Sequence, residues 1–164
     1  MAIVVALFFS AIGEVLADDV ALYLDRKLGF SIAYPTGFVV SAQDPSRFGA
    51  FTPTPIAAIY FMNPTMARSA FAGVEPPDLE VRLYEAGTAG SLAEWLQSTR
   101  LASADSIALA QPYHSADVNS LRICRSPMIA PACSVFVLHR GRVYQLTAIS
   151  IEGETMIKTF ALLP

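Results

Sequence analysis

Tyr23-Leu24-Asp25-Arg26-Lys27-Leu28-Gly29-Phe30-Ser31-Ile32-Ala33-Tyr34-Pro35-Thr36-Gly37-Phe38 has the form of a short strand, a charged turn and a second strand ended by Pro and Gly. Phe30, Ile32 and Tyr34 alternate with Ser31 and Ala33, so one face of the second strand is large and the other small. Pro35 lacks an N–H and cannot extend a ladder, and Thr36-Gly37 supplies turn chemistry before Phe38-Val39-Val40. The hairpin points to a fold and carries no chemistry of its own.

Upstream of it, residues 3–12 are apolar except for Ser10, and Val15-Leu16-Ala17 precedes Asp18-Asp19. That pattern predicts a signal peptide at residues 1–17, cleaved after Ala17, although no Lys or Arg precedes the apolar run. The alternative is a buried N-terminal helix or strand. The run is too short to span a bilayer, which takes about 20 residues. Removing 17 of 164 residues leaves 147, one globular domain over 18–164. A chain of that size buries roughly two-thirds of its unfolded surface and needs no metal to fold. With 11 basic residues against 13 acidic once Glu14 is gone, it has no electrostatic footprint for nucleic acid. These features predict a periplasmic or secreted protein with no membrane span after cleavage.

Cys124 and Cys133 are the two cysteines, and an exported chain meets oxidising conditions, so a structural disulfide is expected. Arg125 to Ala132, with two prolines, reads as a wide loop between two strands. Free thiols and a redox site are the alternatives, but the spacing is not C-x-x-C and no helix start follows.

Along the rest of the chain, Ser41 to Arg47 reads as a polar turn or loop. Ile56 to Met62 reads as a buried strand ended by Asn63-Pro64, and residues 65–77 as loop. Leu79, Val81 and Leu83 alternate with Glu80, Arg82 and Tyr84, a half-buried strand. Ser91-Leu92-Ala93-Glu94 is a capping box that opens a helix with Leu92, Trp95, Leu96 and Thr99 on one face. Residues 101–118 are weakly patterned. Glu154 to Phe160 reads as a short amphipathic helix, with Glu154 and Lys158 spaced to pair at i,i+4.

Between these lies a hairpin whose register can be predicted. With Arg140-Gly141 as a two-residue loop, Leu138 faces Val143, Val137 faces Tyr144, and Val135 faces Leu146. One side then carries Val135, Val137, Tyr144, Leu146 and Ala148, and the other Phe136, Leu138, Val143 and Ile149. Both sides are apolar, so the pair belongs at the centre of a sheet covered on both faces.

The order of these pieces resembles the PsbP family and its bacterial PsbP-like relatives. The carriers are Tyr23-x-Asp25, then Gly29-Phe30-Ser31-Ile32-x-Tyr34-Pro35-x-Gly37-Phe38. Ser91-Leu92-Ala93-Glu94-Trp95, Val143-Tyr144-Gln145-Leu146-Thr147 and Met156-Ile157-Lys158-Thr159-Phe160 follow in order. Together they span most of the mature chain. The resemblance implies an α+β fold, an α/β/α sandwich around a mostly antiparallel sheet, and a binding or assembly role rather than catalysis. Relatives of this kind include an extrinsic photosystem II subunit, a nuclear import factor that binds a small GTPase, and cell-envelope lipoproteins. Such different partners mean that the fold alone fixes no function. The matching positions are core and turn positions, so no binding residue carries over. The cysteine loop and the missing lipidation cysteine depart from the lipoproteins.

Candidate chemistry is sparse. His114 and His139 are the histidines, and no metal-ligand spacing accompanies them, so neither a metal nor a cofactor is expected. His114, Ser115 and Asp117 offer triad residue types too close in sequence to converge, and no Gly-x-Ser-x-Gly elbow is present. Among Glu75, Asp78, Glu80 and Glu85, Glu80 and Glu85 point to opposite faces of one strand, while Glu80 and Arg82 share a face and suit a surface ion pair. Gly87 to Gly90 precedes a helix N-terminus whose anion-binding role Ser91 already fills.

The basic residues Arg122, Arg125, Arg140 and Arg142, with His139, cluster in sequence but are expected to split in space. Arg140 and Arg142 fall at one end of the strand pair, Arg122 and Arg125 at the other. A solvated turn is the plain reading of His139, Arg140 and Arg142; contact with an anionic partner or lipid headgroup is the sharper one. The expected function is a non-enzymatic exported binding or accessory module, acting on an envelope protein or a small apolar ligand held between sheet and helix. The alternatives are a hydrolase assembled from residues distant in sequence and a purely structural envelope protein.

Overall fold

Alternation of apolar side chains, broken by Pro and Gly turns, builds two antiparallel sheets in the computed structural model, which describes residues 20–48, 53–68, 76–113, 119–124 and 133–164. The opening hairpin is β1 (Val20–Asp25) and β2 (Phe30–Pro35), with Tyr23 opposite Ile32. It forms a separate small sheet with β10 (Ala161–Leu162), in the order β1-β2-β10. The large sheet runs β3-β4-β5-β9-β8-β7-β6. Its strands are β3 (Val39–Gln43), β4 (Ala57–Met62), β5 (Leu79–Glu85), β6 (Gln111–Pro112), β7 (Asn119–Cys124), β8 (Cys133–His139) and β9 (Arg142–Ala148).

The β8–β9 register is the one the two-residue loop predicts: Leu138 opposite Val143, Val137 opposite Tyr144, Val135 opposite Leu146. Arg140 and Gly141 both take positive φ, 49° and 75°, as a type I′ turn requires. Two separate cores then form on the two faces of this central pair. Val135, Val137, Tyr144, Leu146 and Ala148 join Phe61, Val81 and Leu83 beneath the small sheet and α4 (Ile151–Ile157). Phe136 and Val143 join Tyr84 and Ile123 beneath α2 (Leu92–Ser98), with α3 (Ala104–Ala108) packed against it. The architecture is the expected sandwich, with one outer layer part helix and part sheet.

On the first face aromatic rings interlock. Phe30 meets Tyr144 edge-on at 6.0 Å, and Tyr23 meets Phe61 at 5.6 Å. Each such pair adds about 0.5–1.5 kcal/mol beyond the area it buries. On the second face Trp95 lies 5.3 Å from Tyr84, and its indole N–H donates to the Glu85 carbonyl at 3.1 Å.

Several local expectations change. Ile149 lies beyond the end of β9 and is 44% exposed, because Ser150 already caps the next helix. That helix begins at Ile151 rather than Glu154, since the Ser150 hydroxyl accepts from the Gly153 N–H at 3.0 Å. Glu154 meets Arg122 at 2.9 Å instead of Lys158. β5 alternates buried and half-buried residues from Leu79 to Leu83 as expected, but Tyr84 on the second face is also fully buried, because it packs under Trp95. Ser41 to Gln43 belong to a strand, with a 3-10 turn at Pro45–Phe48.

Residues 65–77, expected as loop, include the short α1 (Pro64–Arg68); Asn63 caps it through the Met66 N–H at 2.9 Å, with Pro64 at the first helical position. The weakly patterned 101–118 region includes α3, capped by Ser103, and β6. In the capping box of α2, Ser91 accepts from the Glu94 N–H at 3.2 Å as expected. The Glu94 carboxylate, however, reaches the Gly90 N–H at 2.8 Å rather than Ser91.

Cys124 and Cys133 are register partners on β7 and β8 and are joined as a disulfide. The proline-containing loop between them and the predicted leader at 1–17 lie outside the described residues. Among the described residues, no helix is long and apolar enough to cross a membrane.

Candidate functional site

Two turns project from the same end of the molecule. In the β1–β2 turn, the Asp25 carboxylate accepts from the Lys27 and Leu28 N–H groups, both at 2.9 Å. The Gly29 N–H donates to the Asp25 carbonyl at 2.8 Å, and Gly29 itself has φ of 82°. A side chain at Gly29 would also crowd the Tyr144 hydroxyl, 3.1 Å from where its Cβ would sit. The turn is thus held from within by Asp25 and from beneath by Tyr144.

The second turn is Arg140-Gly141, and the strand leaving it reaches across to the first. One Arg142 guanidinium nitrogen donates to the Lys27 carbonyl at 3.0 Å, and the Tyr144 hydroxyl donates to the Leu28 carbonyl at 2.9 Å. Burial pushes the Tyr144 phenol up, with Arg142 and Arg140 opposing, so it stays a neutral donor at physiological pH. Between the turns lies a concavity of about 350 Å³ lined by Arg26, Lys27, His139, Arg140, Arg142 and Tyr144, with Gly29 and the chain at Leu163 and Pro164 closing one side.

Among the described residues, no carboxylate side chain lines that concavity. Asp25, the nearest in sequence, has one oxygen on the two turn amides and the other on the Tyr23 hydroxyl at 3.2 Å. Burial and the Asp25 charge push the Tyr23 phenol up to about 12. Among the described residues the ion pairs are Glu80–Arg82 and Arg122–Glu154, so Arg26, Lys27, Arg140 and Arg142 have no carboxylate partner there.

His139, Arg140 and Arg142 stand together, while Arg122 lies away from them, drawn to α4 by Glu154. Arg26 and Lys27 join them unannounced. They lie more than a hundred residues away, and only the docking of the small sheet brings them in.

His114, Ser115, Asp117, Arg125 and Glu75 lie outside the described residues. His139, expected to be solvated, is half-buried opposite Arg142. Glu80 and Arg82 pair as expected at 2.7 Å, but not at the surface: both side chains are largely buried. Asp78 is spent on structure, accepting from the Asn63 backbone N–H at 2.7 Å. Among the described residues, no group of three or more His, Cys, Asp or Glu side chains converges on a metal-sized site.

A small apolar ligand was expected between sheet and helix, but that interface is filled: Phe30, Ile32, Leu146 and Met156 are at most 1% exposed. An open groove of about 610 Å³ instead borders α4 on the outside, with Tyr34, Phe38, Ile151 and Met156 among its walls.

No protein-family model and no curated protein matches the chain. Its fold is similar to the solution structure of cyanobacterial PsbP (CyanoP) from Synechocystis sp. PCC 6803, with a TM-score of 0.56 and 12% identity over 93% of this chain and 98% of that one. The chain has a PsbP-like fold.

Proposed function

We propose that this PsbP-like chain is an exported, non-enzymatic accessory module that works by contacts with other envelope components. The contact face is the end of the molecule carrying His139, Arg140 and Arg142, widened by Arg26 and Lys27. The observation that carries this reading is the convergence of two turns into one cationic concavity, with no carboxylate side chain in its lining among the described residues. An extrinsic binding role suits the fold, and the Cys124–Cys133 disulfide suits an oxidising compartment such as the periplasm or the extracellular space. Complementary potentials would steer an anionic partner to this face and fix its orientation.

Chemical cross-linking and capture from an envelope extract test the reading, using the full chain and an Arg26→Glu/Arg140→Glu variant. A partner retained by the parent and lost by the variant is expected. Equal capture by both would move the contact elsewhere on the surface. A second reading, a small apolar ligand, is favoured by the groove beside α4. Co-purified lipid or aromatic material displaced by Thr155→Trp, at an exposed position on the groove wall, would support it, and a chain free of such material would count against it.

A further inference from the structure

We infer that the concavity within this contact face takes a phosphate-type oxyanion, borne on a lipid headgroup or free in solution. The inference rests on the contact-face reading and names what its centre would hold. Three guanidinium groups and an ammonium border one recess, contributed by two turns that meet only in the folded state. Guanidinium groups match phosphate oxygens in a fork geometry, and several around one recess can share a compact dianion.

Among the described residues no ion pair occupies these charges, and Pro164, which also borders the recess, forms none with them. Asp25 is committed to its own turn and to Tyr23, and Glu85, opposite Arg142 in the β5–β9 register, makes no ion pair with it. Arg142 differs from the others because it also holds the Lys27 carbonyl. Arg26 and Arg140 lie in the exposed turns and are free to turn toward a ligand. A recess favours a single compact anion over a flat acidic protein surface, whose carboxylates would meet only the rims.

The test uses the full chain at low ionic strength, where exposed charges are least screened. Inorganic phosphate is titrated calorimetrically, and vesicles of phosphatidylcholine alone or with one-third phosphatidylglycerol are co-sedimented with the protein. Binding to phosphate, to the anionic vesicles, or to both supports the site, and the responding arm identifies the source.

The Arg26→Glu/Arg140→Glu variant is expected to weaken that binding at least tenfold, since each basic side chain near an anionic surface contributes about fivefold. The control Arg68→Glu/Lys158→Glu makes the same charge change at exposed positions elsewhere and is expected to have less than a threefold effect. Binding to neither probe would overturn the inference, as would an equal loss in the control. If both probes fail while envelope capture still depends on Arg26 and Arg140, the contact face stands and the oxyanion site falls.

Discussion

Replacing Gly153 with Ala sets two well-defined effects against each other. In a helix interior Ala is favoured over Gly by about 1 kcal/mol, so propensity alone predicts a more stable protein. The packing predicts the reverse. A Cβ on Gly153 would stand 2.1 Å from the Asp78 carbonyl oxygen and 3.1 Å from the Ala148 Cβ. Ordinary contact requires α4 to retreat by about 1 Å from the edge of β5. That carbonyl also accepts from the Ile149 N–H at 3.0 Å, and the Gly153 N–H is the one the Ser150 cap uses.

Overpacking of this kind costs about 1–3 kcal/mol, and a lost hydrogen bond about 1 kcal/mol more. Net of propensity, Gly153→Ala should destabilise by about 2 kcal/mol and lower Tm by about 4–8 °C. Thermal unfolding followed by far-UV circular dichroism checks it. A Tm equal to or above the parent's would refute the close seating of α4 on the chain at Asp78.

Trp95→Ala should cost about 3–5 kcal/mol, because the ring fills the space over Tyr84 and its N–H holds the Glu85 carbonyl; urea midpoints measure this directly. Reducing Cys124–Cys133 should destabilise by about 2.5 kcal/mol through the freed loop, seen as a lower Tm in reductant; an unchanged Tm would show that the bond constrains little. Tyr23 has its folded pKa raised to about 12 from 10, so the folded state keeps the proton that the unfolded state loses first. Its contribution is full below pH 10 and is lost as the pH rises toward 12, and Tyr23→Phe should flatten that part of the stability profile.

What could be read in the chain and what could not divide along a physical line. The β8–β9 register followed from a two-residue turn and a strict period of two, both local, and the two faces sorted themselves once it was set. The start of α4 is obscured in the sequence by Gly153 in its first turn, although Ser150 is a legible cap. Asn63-Pro64 ends a strand and opens a helix at once, and the sequence signals only the first role because the helix it opens is one short turn. The site was half legible. His139, Arg140 and Arg142 sit on one turn, but no pattern along the sequence ties Arg26 and Lys27 to them. The tie is made by the docking of two sheets, through the Arg142 and Tyr144 hydrogen bonds to carbonyls of the other turn.

The residue at the tip of the β8–β9 turn carries a further consequence. Arg140 holds a left-handed backbone conformation, which costs an ordinary side chain about 1 kcal/mol and suits Asn far better. Arg140→Asn should therefore raise Tm by a few degrees while weakening whatever binds between the turns. Fold and surface make opposite demands on this one position, and a chain selected only for durability would have written Asn-Gly there.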